Sequence, residues 1–325
     1  MMLLGIDIGG TKTAACLGDG EGKILASLRM PSRPAGELET YFAELEQMCA
    51  GLLRGAALSI NHVDAIGISA PGPLSVKRGM LLAPPNNPGW VDIPIVERVS
   101  RMFNRPVAMN NDANACVLAE NFFGSHRGVE NMIYLTCSTG MGAGIIAAGR
   151  LIQGINDMGG EVGHHTVERN GRDCACGRKG CWEAYVGGRS VGNYLREKIL
   201  SEKIETRILD LAAGDPEKIG HHTLSAATRA NDPFALVEWD DYVERMAQGI
   251  GNLIMVLNPE VVFLGTIAVN EGELLLKPLR EKLKKYTWHW PREACRVLPS
   301  SLGKQIGDLS SLAVAKACVD IRAAS

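Results

Sequence analysis

Apolar and polar positions along this chain follow two alternating periods. Residues 2–8 (Met-Leu-Leu-Gly-Ile-Asp-Ile) form a short apolar run closed by Gly9-Gly10. Residues 13–18 and 23–29 continue as strands around Asp-Gly-Glu-Gly at 19–22, a strong hairpin signal. From 37 to 53 the spacing becomes helical, with Leu38, Phe42, Leu45, Met48 and Leu52 on one face. Val63–Ser69 reads as the next strand, stopped by Pro71-Gly72-Pro73. Pro106–Met109 runs into Asn110-Asn111-Asp112, after which 113–123 reads as a helix. Asn131–Cys137 is a strand, 138–142 a turn and 143–148 the returning strand. Helical sequence dominates 188–257, followed by a strand at Val261–Leu264, a helix at 271–286 and a last helix at 308–323 that packs back on the first domain. A strand, a Gly/Thr turn and a second strand thus occur twice, near 9–13 and 138–142, which reads as a weak internal duplication in an α/β chain.

At 325 residues there is material for two domains with separate cores. The apolar share of 46% and charged share of 22% are those of a soluble globular protein. A net charge of −2 supplies no basic field for nucleic acid. No apolar run approaches the roughly 20 residues that cross a bilayer. The N-terminus meets an acid at Asp7 and has no basic leader or cleavage site, so the expected compartment is the cytoplasm.

Nine cysteines change the picture only in one place. Cys16, Cys49, Cys116, Cys137, Cys295 and Cys318 are scattered, mostly in apolar or helical surroundings, where a reduced thiol behaves as a small hydrophobe. Cys174, Cys176 and Cys181 cluster, and an odd, tight group without export signals points to metal before disulfide. With His164 of Gly-Glu-Val-Gly-His they make a Cys₃His set, the arrangement of structural zinc. His165 is the alternative imidazole. Zinc would supply folding free energy to a loop, roughly 164–181, that has no apolar core of its own. Glu161 and Glu183 flank that loop within reach of a polyol; an isolated surface carboxylate is the plainer reading of each.

Two turns carry phosphate chemistry. Asp7-Ile8-Gly9-Gly10-Thr11-Lys12-Thr13 sets an acid at a strand end, then two residues without side chains, then hydroxyls and a cation. Glycines let backbone N–H groups approach phosphate oxygens, Thr11 and Thr13 can donate, Lys12 adds charge, and Asp7 suits a hydrated Mg²⁺. Ser138-Thr139-Gly140-Met141-Gly142 offers the same groups without the carboxylate. Neither matches a P-loop or a dinucleotide fingerprint. Each alone reads as a hairpin turn; the pair reads as two sides of a phosphate cleft. Asp112 stands where a strand gives way to a helix, the place where open α/β sheets bind ligands. It is either a general base, worth roughly 10²–10⁴ in rate, or a helix cap. Asn111 beside it can orient the same ligand.

Together these segments resemble the ROK family (repressors, open reading frames and kinases) of the actin-like sugar kinase superfamily. The resemblance runs through Asp-Ile-Gly-Gly-Thr-Lys at 7–12, Ala-Pro-Gly-Pro at 70–73, Asn-Asn-Pro-Gly-Trp at 86–90 and Asn-Asp-Ala-Asn at 111–114. It continues through Ser-Thr-Gly-Met-Gly at 138–142, Gly-Glu-Val-Gly-His at 160–164 and Cys-Ala-Cys-Gly-Arg-Lys-Gly-Cys-Trp-Glu at 174–183. It implies two actin-like (ribonuclease H-like) α/β domains with a cleft between them: 1–112 with 308–325, and 113–307 with the zinc loop. It implies ATP, Mg²⁺ and structural Zn²⁺, a hexose as small-molecule partner, no nucleic acid or membrane, and a homodimer. By position, Asp112 becomes the catalytic base, and sugar contacts fall on Gly72, Asn86, Asn111, Glu161, His164 and Glu183. Gly9, Gly10, Thr11, Lys12, Thr139 and Gly140 hold phosphates, Asp7 serves Mg²⁺, and His164, Cys174, Cys176 and Cys181 hold zinc. His164 would place one nitrogen on the metal and the other toward a sugar hydroxyl.

The resemblance implies phosphoryl transfer from ATP to a hexose, glucose first, with N-acetylmannosamine, N-acetylglucosamine and fructose as alternatives. Two departures fall on the adenosine side. Gly265-Thr266 stands where the family has Gly-Gly, and Leu302–Asp308, with Lys304, is longer than the usual step into the last helix. They keep open a sugar-sensing protein with an altered nucleotide site. A DNA-reading repressor of this family carries its helix-turn-helix ahead of the first motif, where this sequence has six residues.

Overall fold

The computed structural model describes residues 1–33 and 37–324. The opening meander is β1 (Met2–Ile8), β2 (Lys12–Asp19) and β3 (Ile24–Pro31), all antiparallel neighbours. Helix α1 (Leu38–Gly55) leads to β4 (Ala65–Ala70), a small hairpin of β5 (Leu74–Ser75) and β6 (Met80–Leu81), and α2 (Ile95–Phe103). Then come β7 (Val107–Asn111), α3 (Asp112–Phe123), β8 (Met132–Cys137), β9 (Met141–Ala147) and β10 (Arg150–Leu151). The long helical stretch is α4 (Glu183–Val186), α5 (Gly188–Glu202), α6 (Arg207–Leu211), α7 (His221–Arg229) and α8 (Pro233–Leu257). The chain closes with β11 (Val261–Leu264), α9 (Thr266–Glu271), α10 (Glu273–Lys282), α11 (His289–Ala294), β12 (Arg296–Pro299) and α12 (Ile306–Ala324).

The two large sheets repeat one topology. The first has order β3-β2-β1-β4-β7 and the second β10-β9-β8-β11-β12. In the first, β4 runs parallel to both β1 and β7; in the second, β11 runs parallel to both β8 and β12. The duplication legible in two Gly/Thr turns is therefore a duplication of whole sheets.

The chain divides into two compact units. One comprises 1–130, 144–160 and 301–325; the other comprises 131–143 and 161–300. In the first, β1 is buried on both faces, as its unbroken apolar run requires. Leu4, Ile6 and Ile8 pack with Phe42, Leu45 and Leu52 of α1 and with Ile95 and Val99 of α2. Leu3 faces the other way, with Ala119 and Phe123 of α3 and Leu309, Leu312 and Ala313 of α12. In the second unit the buried Trp182 ring lies against Gly249 of α8 and donates through Nε1 to the Arg245 carbonyl at 2.8 Å.

The expected helix over 271–286 is interrupted. Gly272 takes φ +56°, ending α9 and starting α10, and a short 3₁₀ turn covers Leu283–Lys285. No helix among the described residues is long and apolar enough to cross a membrane.

Candidate active site and metal cluster

Three parallel strands of the first unit end side by side. Asp7 near the end of β1 pairs in register with Ser69 on β4, and Ser69 pairs with Asn110 on β7. At or just beyond these ends lie Gly9-Gly10, Gly72 and Asn111-Asp112, Asn111 being the last residue of β7. This is the carboxyl edge where open sheets take ligands.

The cap question at α3 has a definite answer. Asn111 is the N-cap: its Oδ1 accepts the Asn114 N–H at 2.7 Å. Asp112 is therefore the first helical residue, exposed, with its Oδ1 taking the Ala113 N–H at 2.8 Å. Cap and carboxylate are separate residues.

Burial, with smaller contributions from the charges of Asp112 and Asp308, pushes the Asp7 carboxyl up to about 6. Asp308, in the first turn of α12, takes both contacts of Arg29, at 3.2 and 3.3 Å.

The turn after β1 is fastened by its carbonyls. Gly9 N–H donates to the Lys12 carbonyl at 2.9 Å, and the Gly9 carbonyl accepts Ser32 Oγ at 2.6 Å and Asn87 Nδ2 at 3.3 Å. Gly10 lies so close to the Asn86 backbone that a Cβ there would stand 2.5 Å from the Asn86 carbonyl oxygen. Thr11 and Lys12 are exposed. Thr13, read as a donor to phosphate, is instead buried, and its hydroxyl meets Tyr41 Oη at 3.1 Å. It is a β2 residue whose side chain faces the core. Asn86 is exposed, whereas Asn87 is buried and does the fastening.

In the second unit the turn after β8 is held in the same manner. Ser138 and Thr139 carbonyls accept the N–H groups of Gly188 and Arg189 at 2.8 and 3.0 Å, and the Gly140 carbonyl accepts Ser138 N–H at 3.2 Å. With these oxygens occupied, the N–H groups of Thr139 and Gly140 donate to no atom among the described residues. The Met141 N–H donates to Glu183 Oε2 at 2.8 Å. Glu183 thus commits one carboxylate oxygen to the turn.

His164, Cys174, Cys176 and Cys181 bring their ligand atoms within 4.8 Å of one another. Cys176 Sγ lies 3.7 Å from Cys181 Sγ, and Cys174 Sγ lies 3.7 Å from His164 Nδ1. A tetrahedral ion with bonds near 2.3 Å to sulfur needs ligand edges of about 3.8 Å. The Arg178 backbone N–H, then its guanidinium, hold the Cys176 thiol down at about 6, so a thiolate is available. His165 is engaged elsewhere, with Nδ1 on the Val162 carbonyl and Nε2 at 3.3 Å from Asn252. Glu161 is exposed at the start of the same segment.

The model of the ROK family matches residues 3–317. The chain belongs to the ROK family. It is 32% identical over 316 residues to a glucokinase from Thermotoga maritima, covering 97% of this chain and 98% of that one. A crystal structure of a ROK family glucokinase from Streptomyces griseus, in complex with glucose and AMPPNP, superposes with a TM-score of 0.80 at 31% identity, covering 98% of this chain and all of that one. A xylose repressor of Caldicellulosiruptor bescii is 29% identical over 283 residues, covering 87% of this chain and 70% of the repressor. Asn87 escaped the sequence reading, its only signal being a polar residue one place before Pro88-Gly89-Trp90, whose ring is fully buried.

Proposed function

We propose that this ROK protein is an ATP-dependent hexose kinase, with glucose to glucose 6-phosphate as its reaction. The observation that carries the reading is the placement of Asp112: an exposed carboxylate on the first residue of α3, next to the N-cap Asn111 and within electrostatic reach of Asp7, at the carboxyl edge of β1, β4 and β7. The kinship to glucokinases, one of them bound to glucose and AMPPNP, supports the same reading.

In this mechanism Asp112 accepts the proton of the attacking sugar hydroxyl. Gly72, Asn86, Asn111, Glu161, His164 and Glu183 are the residues that orient the sugar. MgATP is the donor substrate. The amides at Gly10, Thr11, Thr139 and Gly140, with Lys12, receive its phosphates, and Asp7 faces its cation. Because phosphoryl transfer asks for little covalent chemistry from protein, positioning and charge neutralisation do the work.

His164, Cys174, Cys176 and Cys181 would hold a structural zinc, which when bound fixes the loop and the His164 tautomer. His164 Nδ1 is the atom at the cluster, so Nε2 is the nitrogen left for a sugar hydroxyl.

The repressor kinship and the altered segments at Thr266 and Lys304 favour one second reading, a sugar-binding protein without turnover. A coupled ADP-release assay with glucose, N-acetylmannosamine, N-acetylglucosamine and fructose separates the two. Turnover with glucose highest is the expected result. Saturable sugar binding with no ADP release from any member of the panel would establish the second reading.

A further inference from the structure

The metal cluster and the second glycine turn are joined through one residue, Met141. Its N–H donates to Glu183, two residues after the ligand Cys181. Against its carbonyl stands Gly163, one residue before the ligand His164. A Cβ at Gly163 would lie 2.1 Å from the Met141 carbonyl oxygen, so the two backbones are in direct contact and only glycine permits it. The segment carrying Cys181 is anchored again by the Trp182 N–H on the His165 carbonyl at 2.9 Å. The same segment runs on through α4 to Gly188 and Arg189, whose N–H groups hold the Ser138 and Thr139 carbonyls.

We infer that Glu183 is a positioning residue that fastens the 138–142 turn to the metal cluster, so that metal occupancy sets the geometry of the nucleotide phosphate site. Glu183 has two duties: one oxygen fixes the turn, and the other remains for the sugar. The metal segments meet Met141 at its N–H and at its carbonyl, and loss of the ion loosens both contacts together. This inference rests on the kinase reading, since that reading makes the turn a phosphate site.

The test is made on the full-length, zinc-loaded chain without sugar, so that a sugar contact of Glu183 does not enter. MgADP affinity and hydrogen exchange of the 138–142 amides are measured for wild type, Glu183→Ala and Glu183→Gln. Zinc content confirms that each variant retains its metal. Glu183→Ala is expected to lose about tenfold in MgADP affinity and to exchange the Met141 amide faster, the factor a charge-assisted hydrogen bond is worth. Glu183→Gln keeps an acceptor oxygen and is expected to restore amide protection and most of the affinity. Chelation of zinc from the wild type is expected to reproduce the Glu183→Ala exchange pattern at Met141, with little further change when the variant itself is chelated. Wild-type MgADP affinity and Met141 protection in Glu183→Ala would overturn the tie while leaving the kinase reading intact. A wild-type chain that binds no MgADP at all would overturn the kinase reading and the tie with it.

Discussion

The turn at Gly9–Lys12 is held by ordinary protein: Ser32 and Asn87 bond the Gly9 carbonyl, and the Asn86 backbone fills the space against Gly10. The turn at 138–142 has, besides the Gly188 and Arg189 N–H groups on its carbonyls, a carboxylate and a glycine whose neighbours are Cys181 and His164. The first adjoins two acids, Asp7 and Asp112; the second has none of its own and borrows Glu183 from the loop beside it. The sheets are copies in topology, yet paired acids collect beside one and the cysteine-histidine cluster beside the other. Duplication fixes where a turn occurs, and the residues behind each turn fix what it can do.

The largest expected effect tests whether proton removal is confined to the first unit. Asp112→Asn should lower kcat by about 10²–10⁴-fold with the KM for MgATP nearly unchanged. Steady-state kinetics check this, and near-wild-type turnover would move the base elsewhere.

Next comes the metal side. Cys181 is fully buried, and Cys181→Ser should reduce bound zinc from about one ion per chain to a trace, with a loss of several kcal/mol in stability. Elemental analysis and thermal melting read both. The titration of Asp7 should be untouched by this variant, because its causes all lie in the first unit.

Asp7 itself gives a signed pH effect. Its value rises from an ordinary 3.8 to about 6 in the fold. Between those values the folded state keeps a proton that the unfolded chain has lost, so stability falls as pH rises from about 4 to about 6. The fall amounts to about 3 kcal/mol and is complete above that window. Binding of MgATP should move the other way, strengthening as the carboxylate ionises. Asp7→Asn should flatten both curves, which denaturant titrations and MgADP binding across pH 4–7 would register.

The smallest effect sharpens the contrast between the supports. Asn87→Ala removes one buried donor from the Gly9 carbonyl and should cost about 1 kcal/mol in stability, raising the KM for MgATP a few-fold without altering zinc content. A zinc-poor Asn87→Ala protein would show the two supports to be coupled.

Much of this was legible from residue pattern. Gly9-Gly10 and Gly140 mark both turns because close backbone approach leaves a visible composition. The strands at β1, β4 and β11 announce themselves as short apolar runs ended by glycine or proline. The four-member cluster reads from spacing alone, although the choice of His164 over His165 required the fold, since adjacent imidazoles differ only in what they face. Helix α2 went unread, though Ile95, Val99 and Phe103 recur every four residues. Strand β12 is four residues ending in proline, too short to show a period, and exists because β11 offers it a partner. The break at Gly272 falls at the very start of the expected 271–286 helix, and α9 ahead of it is too short, at six residues, to show a period. Asn87 and the Glu183 tie were invisible for another reason: burial and tertiary hydrogen bonds join residues far apart in the chain, and no local period records them.

Helix α12 has a consequence for biosynthesis. One side of the first unit's core is built from Leu309, Leu312, Ala313 and Ala315, and Ser311 lies against Gly5 and Cys16. These residues leave the ribosome only after 131–143 and 161–300 have emerged, and domains generally fold as units once synthesised. The opening β1–β3 meander must therefore wait with one apolar face uncovered while the unit that carries the cysteine cluster matures. Nascent chains stalled before residue 306 should expose that face to chaperones, and chains released past it should not.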